Sequence, residues 1–240
     1  MSALGSPSLA RHRDFAALKA SFEATAATAR RIAVERVIPS DIPALDRALG
    51  GGFPRGTLTV LEGDGGRWSI AAALVAGVSR RAVAAIIDDG GLYPPSLARA
   101  GARLDRVLIV PAQTPLAIAR AADVLVRSRA CRLILMPAPE LRAALWTRLA
   151  GLAHRSGVAL IAIAPLGRNV SASPLSGAAG VRLSCTRKRL LVDGTQGIWC
   201  RFAGYELHAE VRKNTFTATG GRARVRAASD QELCARAAVR

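Results

Sequence analysis

Residues 60–75, Val-Leu-Glu-Gly-Asp-Gly-Gly-Arg-Trp-Ser-Ile-Ala-Ala-Ala-Leu-Val, read as a strand, a glycine turn and the start of a helix. Backbone N–H groups and a helix N-terminus in that arrangement cradle phosphate. A working phosphate loop spaces its outer glycines so that successive amides encircle the anion, then adds Lys for the phosphates and Ser or Thr for magnesium. Here only Asp64 and Gly65 separate Gly63 from Gly66, Arg67 stands in the lysine position, and Trp68 takes the hydroxyl position ahead of Ser69. Asp64 adds negative charge facing any phosphate. The segment Gly63, Asp64, Gly65, Gly66, Arg67, Trp68, Ser69 has the outline of a nucleotide loop with its chemistry removed. Taken alone it is an ordinary glycine-rich turn, and the flanking elements have to decide.

Upstream, residues 38–56 run Ile-Pro-Ser-Asp-Ile-Pro-Ala-Leu-Asp-Arg-Ala-Leu-Gly-Gly-Gly-Phe-Pro-Arg-Gly. This resembles the "LD.ALG.GG.P.G" approach of RecA-type ATPases to their first core strand. Downstream, Ala85-Ile86-Ile87-Asp88-Asp89-Gly90 is similar to the family's second core strand, and residues 93–101 to the helix after it. Val107–Pro111 matches a short strand, residues 113–125 the next amphipathic helix, and Cys131–Met136 the Walker B strand. Gly180-Val181-Arg182-Leu183 and Glu210-Val211-Arg212-Lys213-Asn214 resemble the last two strand motifs of the core. The resemblance covers residues 36–217 and implies an α/β fold: a RecA-like doubly wound, mostly parallel sheet flanked by helices. The alternation of strand and helix signals agrees with it.

Carried over position by position, the family's catalytic groups are missing. Met136 or Pro137 stands where the Walker B acid should order magnesium's waters. Gly90 replaces the glutamate that would activate water, with Asp88 and Asp89 close by, and Ala164 or Pro165 replaces the polar phosphate sensor. Phosphoryl transfer rests on positioning and charge neutralisation, so the resemblance implies a pseudo-ATPase with no catalytic residues and no cofactor. The family's two DNA-binding loops are trimmed as well. Ala138-Pro139-Glu140 runs straight into a helix from Leu141 to Ala153, and residues 166–177 are short, with Arg168 as their one basic residue.

The formal charge is +17 over 240 residues, and the only lysines are Lys19, Lys188 and Lys213. A compact domain so charged repels itself and seeks a polyanion or an acidic partner. Candidate nucleic-acid contacts are Arg168, the run Arg187, Lys188 and Arg189 after the final core strands, Arg212 and Lys213, and Arg222, Arg224 and Arg226. A solvated surface is the plainer reading of each. Any DNA binding is expected to be weak and sequence-independent. Apolar runs such as residues 158–166 fall far short of the ~20 residues that span a bilayer, so a cytoplasmic, nucleoid-associated protein is expected. Cys131, Cys185, Cys200 and Cys234 lack metal-ligand spacing and read as reduced core thiols.

Three segments are expected. Residues 1–35 hold a polar start and an amphipathic helix with Phe15, Leu18, Phe22 and Ile32 on one stripe, which packs either on a neighbouring subunit or on its own core. Residues 36–217 form the core. Residues 218–240 are a basic, flexible tail, with Ser229-Asp230 as a cap for a last short helix; Leu233, Cys234 and Val239 form an apolar stripe for a partner or belong to a frayed end.

A RecA-like core with these losses is similar to the ImuA group of bacterial proteins. That resemblance implies a non-catalytic adaptor of DNA damage tolerance in mutagenic translesion synthesis. Its implied partners are an ImuB-like inactive Y-family polymerase, an error-prone replicative-type polymerase and RecA. Two readings stand beside it: a RecA-type DNA-dependent ATPase in recombination, and a SulA-like inhibitor of cell division.

Overall fold

A computed structural model describes residues 36–165, 170–193, 201–216 and 221–228. The expectations placed on the N-terminal helix with Phe15, Leu18 and Phe22, on Arg168, on Cys200, and on Leu233, Cys234 and Val239 lie outside the described residues. Among the described residues the strands are β1 (Val37–Ile38), β2 (Phe53–Pro54), β3 (Thr57–Gly63), β4 (Ala84–Asp88), β5 (Val107–Pro111), β6 (Leu133–Pro137), β7 (Ala159–Ile163), β8 (Val181–Asp193), β9 (Arg201–Asn214) and β10 (Arg222–Ala228). The helices are α1 (Pro43–Leu49), α2 (Arg67–Ser79), α3 (Pro94–Arg99), α4 (Pro115–Ser128), α5 (Ala143–Ser156) and α6 (Pro174–Ala178).

Eight strands form one sheet in the order β10-β9-β8-β3-β7-β6-β4-β5. From β8 to β5 every pairing is parallel, and each strand there is reached through a crossover. Such strands are buried on both faces and read as continuous apolar runs, as Ala84–Asp88 and Leu133–Pro137 do. One hydrophobic cluster joins β3, β4, β6 and β7 to α1, α2 and α3, with Leu45, Leu61, Ile70, Leu74, Leu135 and Leu207 fully buried. The other joins the opposite face to α4 and α5 around Trp146, 1% exposed. Helix α4 starts at Thr114, whose hydroxyl accepts the Ala117 N–H at 3.2 Å with Pro115 next in the chain, a favourable N-terminus.

Beyond β8 the sheet changes character. β9 and β10 are antiparallel additions, and their residues alternate strictly: Leu207, Ala209, Val211, Ala223 and Val225 face the α1–α2 cluster, while His208, Glu210, Arg212, Arg222 and Arg224 face away. That alternation is the mark of an antiparallel sheet with one dry and one wet face. It also corrects the expected tail. Residues 222–228 are a strand and not flexible, because Ala223 and Val225 are 4% and 0% exposed and carry the apolar half of a strand pattern that the dense arginines obscure. The Arg187–Arg189 run likewise lies inside β8 instead of following the last core strand. Among the described residues no helix is long and apolar enough to cross a membrane.

A truncation before residue 221 is expected to lower the melting temperature, since it uncovers Leu207 and Val211. Val225→Ala alone should lower stability by about 2 kcal/mol, from reduced methyl burial and the remaining cavity, measurable by urea denaturation.

Candidate functional site

The glycine loop sits at the carboxyl end of β3, the position where open α/β sheets bind ligands. The chain closes it from within. The β3–β8 ladder continues to the pair Gly63↔Cys185, and the Asp64 N–H donates to the Cys185 carbonyl at 3.1 Å. Gly63 has φ +112°, and a Cβ there would overlap the Cys185 carbonyl oxygen. Gly66, the N-cap of α2 at φ +76°, lies so close to Leu207 that a Cβ would overlap its side chain. Gly65 is packed under Arg187, whose Cβ would be 3.1 Å from an added methyl.

The polar groups of the loop are engaged internally. The Asp64 carboxylate, expected to repel phosphate, accepts the Arg187 N–H at 3.1 Å and so ties the loop to β8. Arg67 is 8% exposed, and its Nη1 donates to the Ala164 carbonyl at the end of β7, the position expected to hold a phosphate sensor. Burial pulls the Arg67 guanidinium below its usual range, partly countered by the nearby Asp64 carboxylate; it remains charged, as arginine does in proteins. Its Nε is buried without a partner. The Ser69 hydroxyl bonds the Tyr205 hydroxyl, and the Arg187 guanidinium lies 5.1 Å from the Tyr205 ring centroid. Trp68 is 40% exposed on the first turn of α2. Burial pushes the Cys185 thiol up to about 12, so it is a neutral core group; Cys131 is buried and shifted upward for the same reason.

The neighbouring acids are occupied too. Asp88 Oδ1 accepts the N–H groups of Gly90 and Leu92 at 3.1 and 2.9 Å, which fixes the turn after β4. Met136, at the Walker B position, is 1% exposed. One group was not anticipated: Glu62, an acid in an otherwise uncharged strand, is 7% exposed and bonded by Arg182 Nη2 at 2.8 and 3.0 Å. Arg182 also reaches the hydroxyls of Ser171 and Ser176, pinning the segment before β8. A lone acid at the end of Thr57–Gly63 was the available signal, since a buried carboxylate requires a partner.

The expected nucleic-acid residues divide. Lys188, Arg212, Arg222 and Arg224, together with Arg47 of α1, line one groove of about 930 Å³ along β8, β9 and β10; Arg226 follows at the same two-residue spacing on the exposed side of β10. Glu210 pairs with Arg212 and Arg222 at 3.0 and 3.2 Å. The others are elsewhere: Lys213 Nζ bonds the Ser176 and Gly177 carbonyls, Arg187 covers the glycine loop, and Arg189 stands opposite Glu206.

A mostly parallel sheet in this strand order, with a glycine loop closing its first crossover strand, defines a RecA-like α/β domain. The solved structure of the RadB recombinase matches it with a TM-score of 0.61 at 17% identity, over 79% of this chain and 96% of that one. Residues 47–168 match the family described as MT3502 N-terminal domain, and the chain belongs to that family. Over 103 residues it is 36% identical to Protein RecA of a Picosynechococcus species; the match takes in 41% of this chain and 30% of that protein, under a third of its length.

Gly63→Ala should destabilise by about 3 kcal/mol or more, because backbone strain and a backbone overlap act together. Gly90→Ala has φ strain but open space around it and should destabilise by only about 1–2 kcal/mol. Chemical denaturation separates the two, and equal effects would show that the loop is not held against β8.

Proposed function

We propose that this chain is a RecA-like accessory protein that does not turn over nucleotide and acts as an adaptor in mutagenic translesion synthesis. In this reading it is similar to ImuA proteins and binds an ImuB-like inactive polymerase homologue, with an error-prone replicative-type polymerase and RecA as further partners. The observation that carries the reading is self-occupancy of the nucleotide loop. Arg67 is bonded to Ala164, Asp64 to β8, and Leu207 lies over Gly66. A loop in this state offers a phosphate neither a free cation nor a ring of amides.

The wet face of the antiparallel strands supports a contact with nucleic acid. Lys188, Arg212, Arg222, Arg224 and Arg226 face outward against the carboxylates of Glu206 and Glu210, a balance suited to phosphate backbones and carrying no base readout. Where recombinases hold a DNA-binding loop, the described residues from 170 onward are packed down: Val170 is 1% exposed, and Arg182 holds Ser171 and Ser176. The 36% identity to RecA favours a second reading, a nucleotide-dependent recombination protein.

Affinity purification of the full chain from DNA-damaged cells tests the two. The adaptor reading predicts capture of a polymerase homologue, undiminished when nucleotide and magnesium are removed. Capture that requires Mg-ATP, or none of a polymerase homologue, would favour the recombination reading. Arg222→Ala/Arg224→Ala/Arg226→Ala should separately reduce the salt slope of DNA binding by about 0.9 for each phosphate that is no longer neutralised.

A further inference from the structure

The opposite end of the sheet carries a charge pattern that the nucleotide loop and the antiparallel face leave unused. Thr57 of β3, Ala159 of β7, Leu133 of β6, Ala84 of β4 and Val107 of β5 are register partners and form one row across five adjacent strands. Each strand of this row is entered through arginine. Arg155 precedes β7, Arg129 and Arg132 precede β6, and Arg81 precedes β4, all four exposed. Arg55 before β3 and Arg106 before β5 stand at the row's two ends. Backbone and side-chain bonds tie these segments edge to edge: Arg132 N–H to the Val83 carbonyl at 2.9 Å, Arg106 Nη1 to the Arg80 carbonyl at 3.0 Å, and Arg55 Nε to the Gly157 carbonyl at 3.1 Å. At the ~4.8 Å spacing of strands, the row is about 19 Å long.

Part of this charge has a local explanation. Arg80 and Arg129 are the C-caps of α2 and α4, and Arg155 lies in the last turn of α5, where cations offset the helix dipole. Arg81 and Arg132 lie beyond the helix ends. The loop segments of this edge carry two carboxylates, and both are taken, Asp41 by Arg80 and Asp105 by Arg103. Arg81, Arg129, Arg132 and Arg155 have no ion pair among the described residues. Cations gathered along one edge repel one another, and a linear polyanion laid along them relieves the repulsion. Residues 80–83, 100–106, 129–132 and 155–158 contain no aromatic side chain. Stacking on bases, the usual device of single-strand binders, is therefore lacking.

We infer that the amino-terminal edge of the parallel sheet is a second nucleic-acid surface, a phosphate track for the backbone of duplex DNA, separate from the arginine face of β9 and β10. It rests on the reading of the chain as a DNA-associated protein, but its test is independent of any polymerase partner. The full chain is titrated with a mixed-sequence DNA duplex between about 50 and about 200 mM salt. Arg81→Ala/Arg129→Ala/Arg132→Ala/Arg155→Ala should weaken binding about tenfold or more and flatten the salt slope by about 3.6, at ~0.9 per neutralised phosphate. The alanine set should keep a cooperative melting transition, lowered only by the lost cations at the ends of α4 and α5. The same four positions changed to Lys should restore binding, and the alanine set should cost the same factor when Arg222, Arg224 and Arg226 are already Ala. The inference is overturned if the unaltered chain binds no duplex, if the alanine set leaves affinity and slope unchanged, or if the lysine set fails as badly as alanine. Capture of a polymerase partner by the alanine set would leave the adaptor reading standing even then.

Discussion

The absence of clearance between Gly63 and the Cys185 carbonyl governs the arrangement at the head of the sheet. A phosphate loop must rise away from its neighbouring strand to encircle an anion. Here the ladder between β3 and β8 runs through Gly63 and on to the Asp64 N–H, so the loop lies against the strand. Shortening of the loop and extension of the ladder are two sides of one change. With the loop flat, Leu207 from β9 covers Gly66, and Arg67 turns to the end of β7. Its buried cation then needs the Ala164 carbonyl, because an unpartnered guanidinium in that position would carry a large desolvation cost. Each replacement is local, yet together they turn a ligand site into a packed corner of the core.

The second organising feature is the division of the sheet. Its parallel part is covered on both faces by helices and has little surface of its own apart from its two ends. The antiparallel part is covered on one face only, and its alternation places arginines on the other. Arg212, Arg222, Arg224 and Arg226 stand on the face that helices leave uncovered, and Arg81, Arg129, Arg132 and Arg155 stand exposed at the amino-terminal edge. Buried pairs such as Glu62–Arg182 contribute nothing to that field and serve to hold the segment before β8 in place.

Much of the core was legible in residues 36–217 because parallel strands are continuous apolar runs and the helices Pro115–Ser128 and Ala143–Ser156 have a plain amphipathic period. The losses at Met136, Gly90 and Ala164 could be read directly, since side-chain identity is enough to show that a carboxylate or amide is missing. What filled the space could not. Arg67 bonding a carbonyl 97 positions away, and Asp64 bonding β8 instead of facing outward, depend on contacts between distant strands. Charge misled the reading of residues 222–228: in Arg-Ala-Arg-Val-Arg the small Ala223 and Val225 give a weak apolar alternation, and the arginines resemble a solvated tail. The arginine row at the amino-terminal edge is scattered through the sequence, from Arg55 to Arg155, and only the register of five strands aligns it.

The central claim is that the loop is closed by its own chain, and amide hydrogen exchange across residues 63–69 tests it most directly. The account predicts that the Asp64 amide, bonded to Cys185 in the ladder, exchanges slowly in the free protein and at an unchanged rate when Mg-ATP is added in large excess. Rapid exchange in the free protein that slows on addition of Mg-ATP would show an open loop that gains order from nucleotide, and would contradict it.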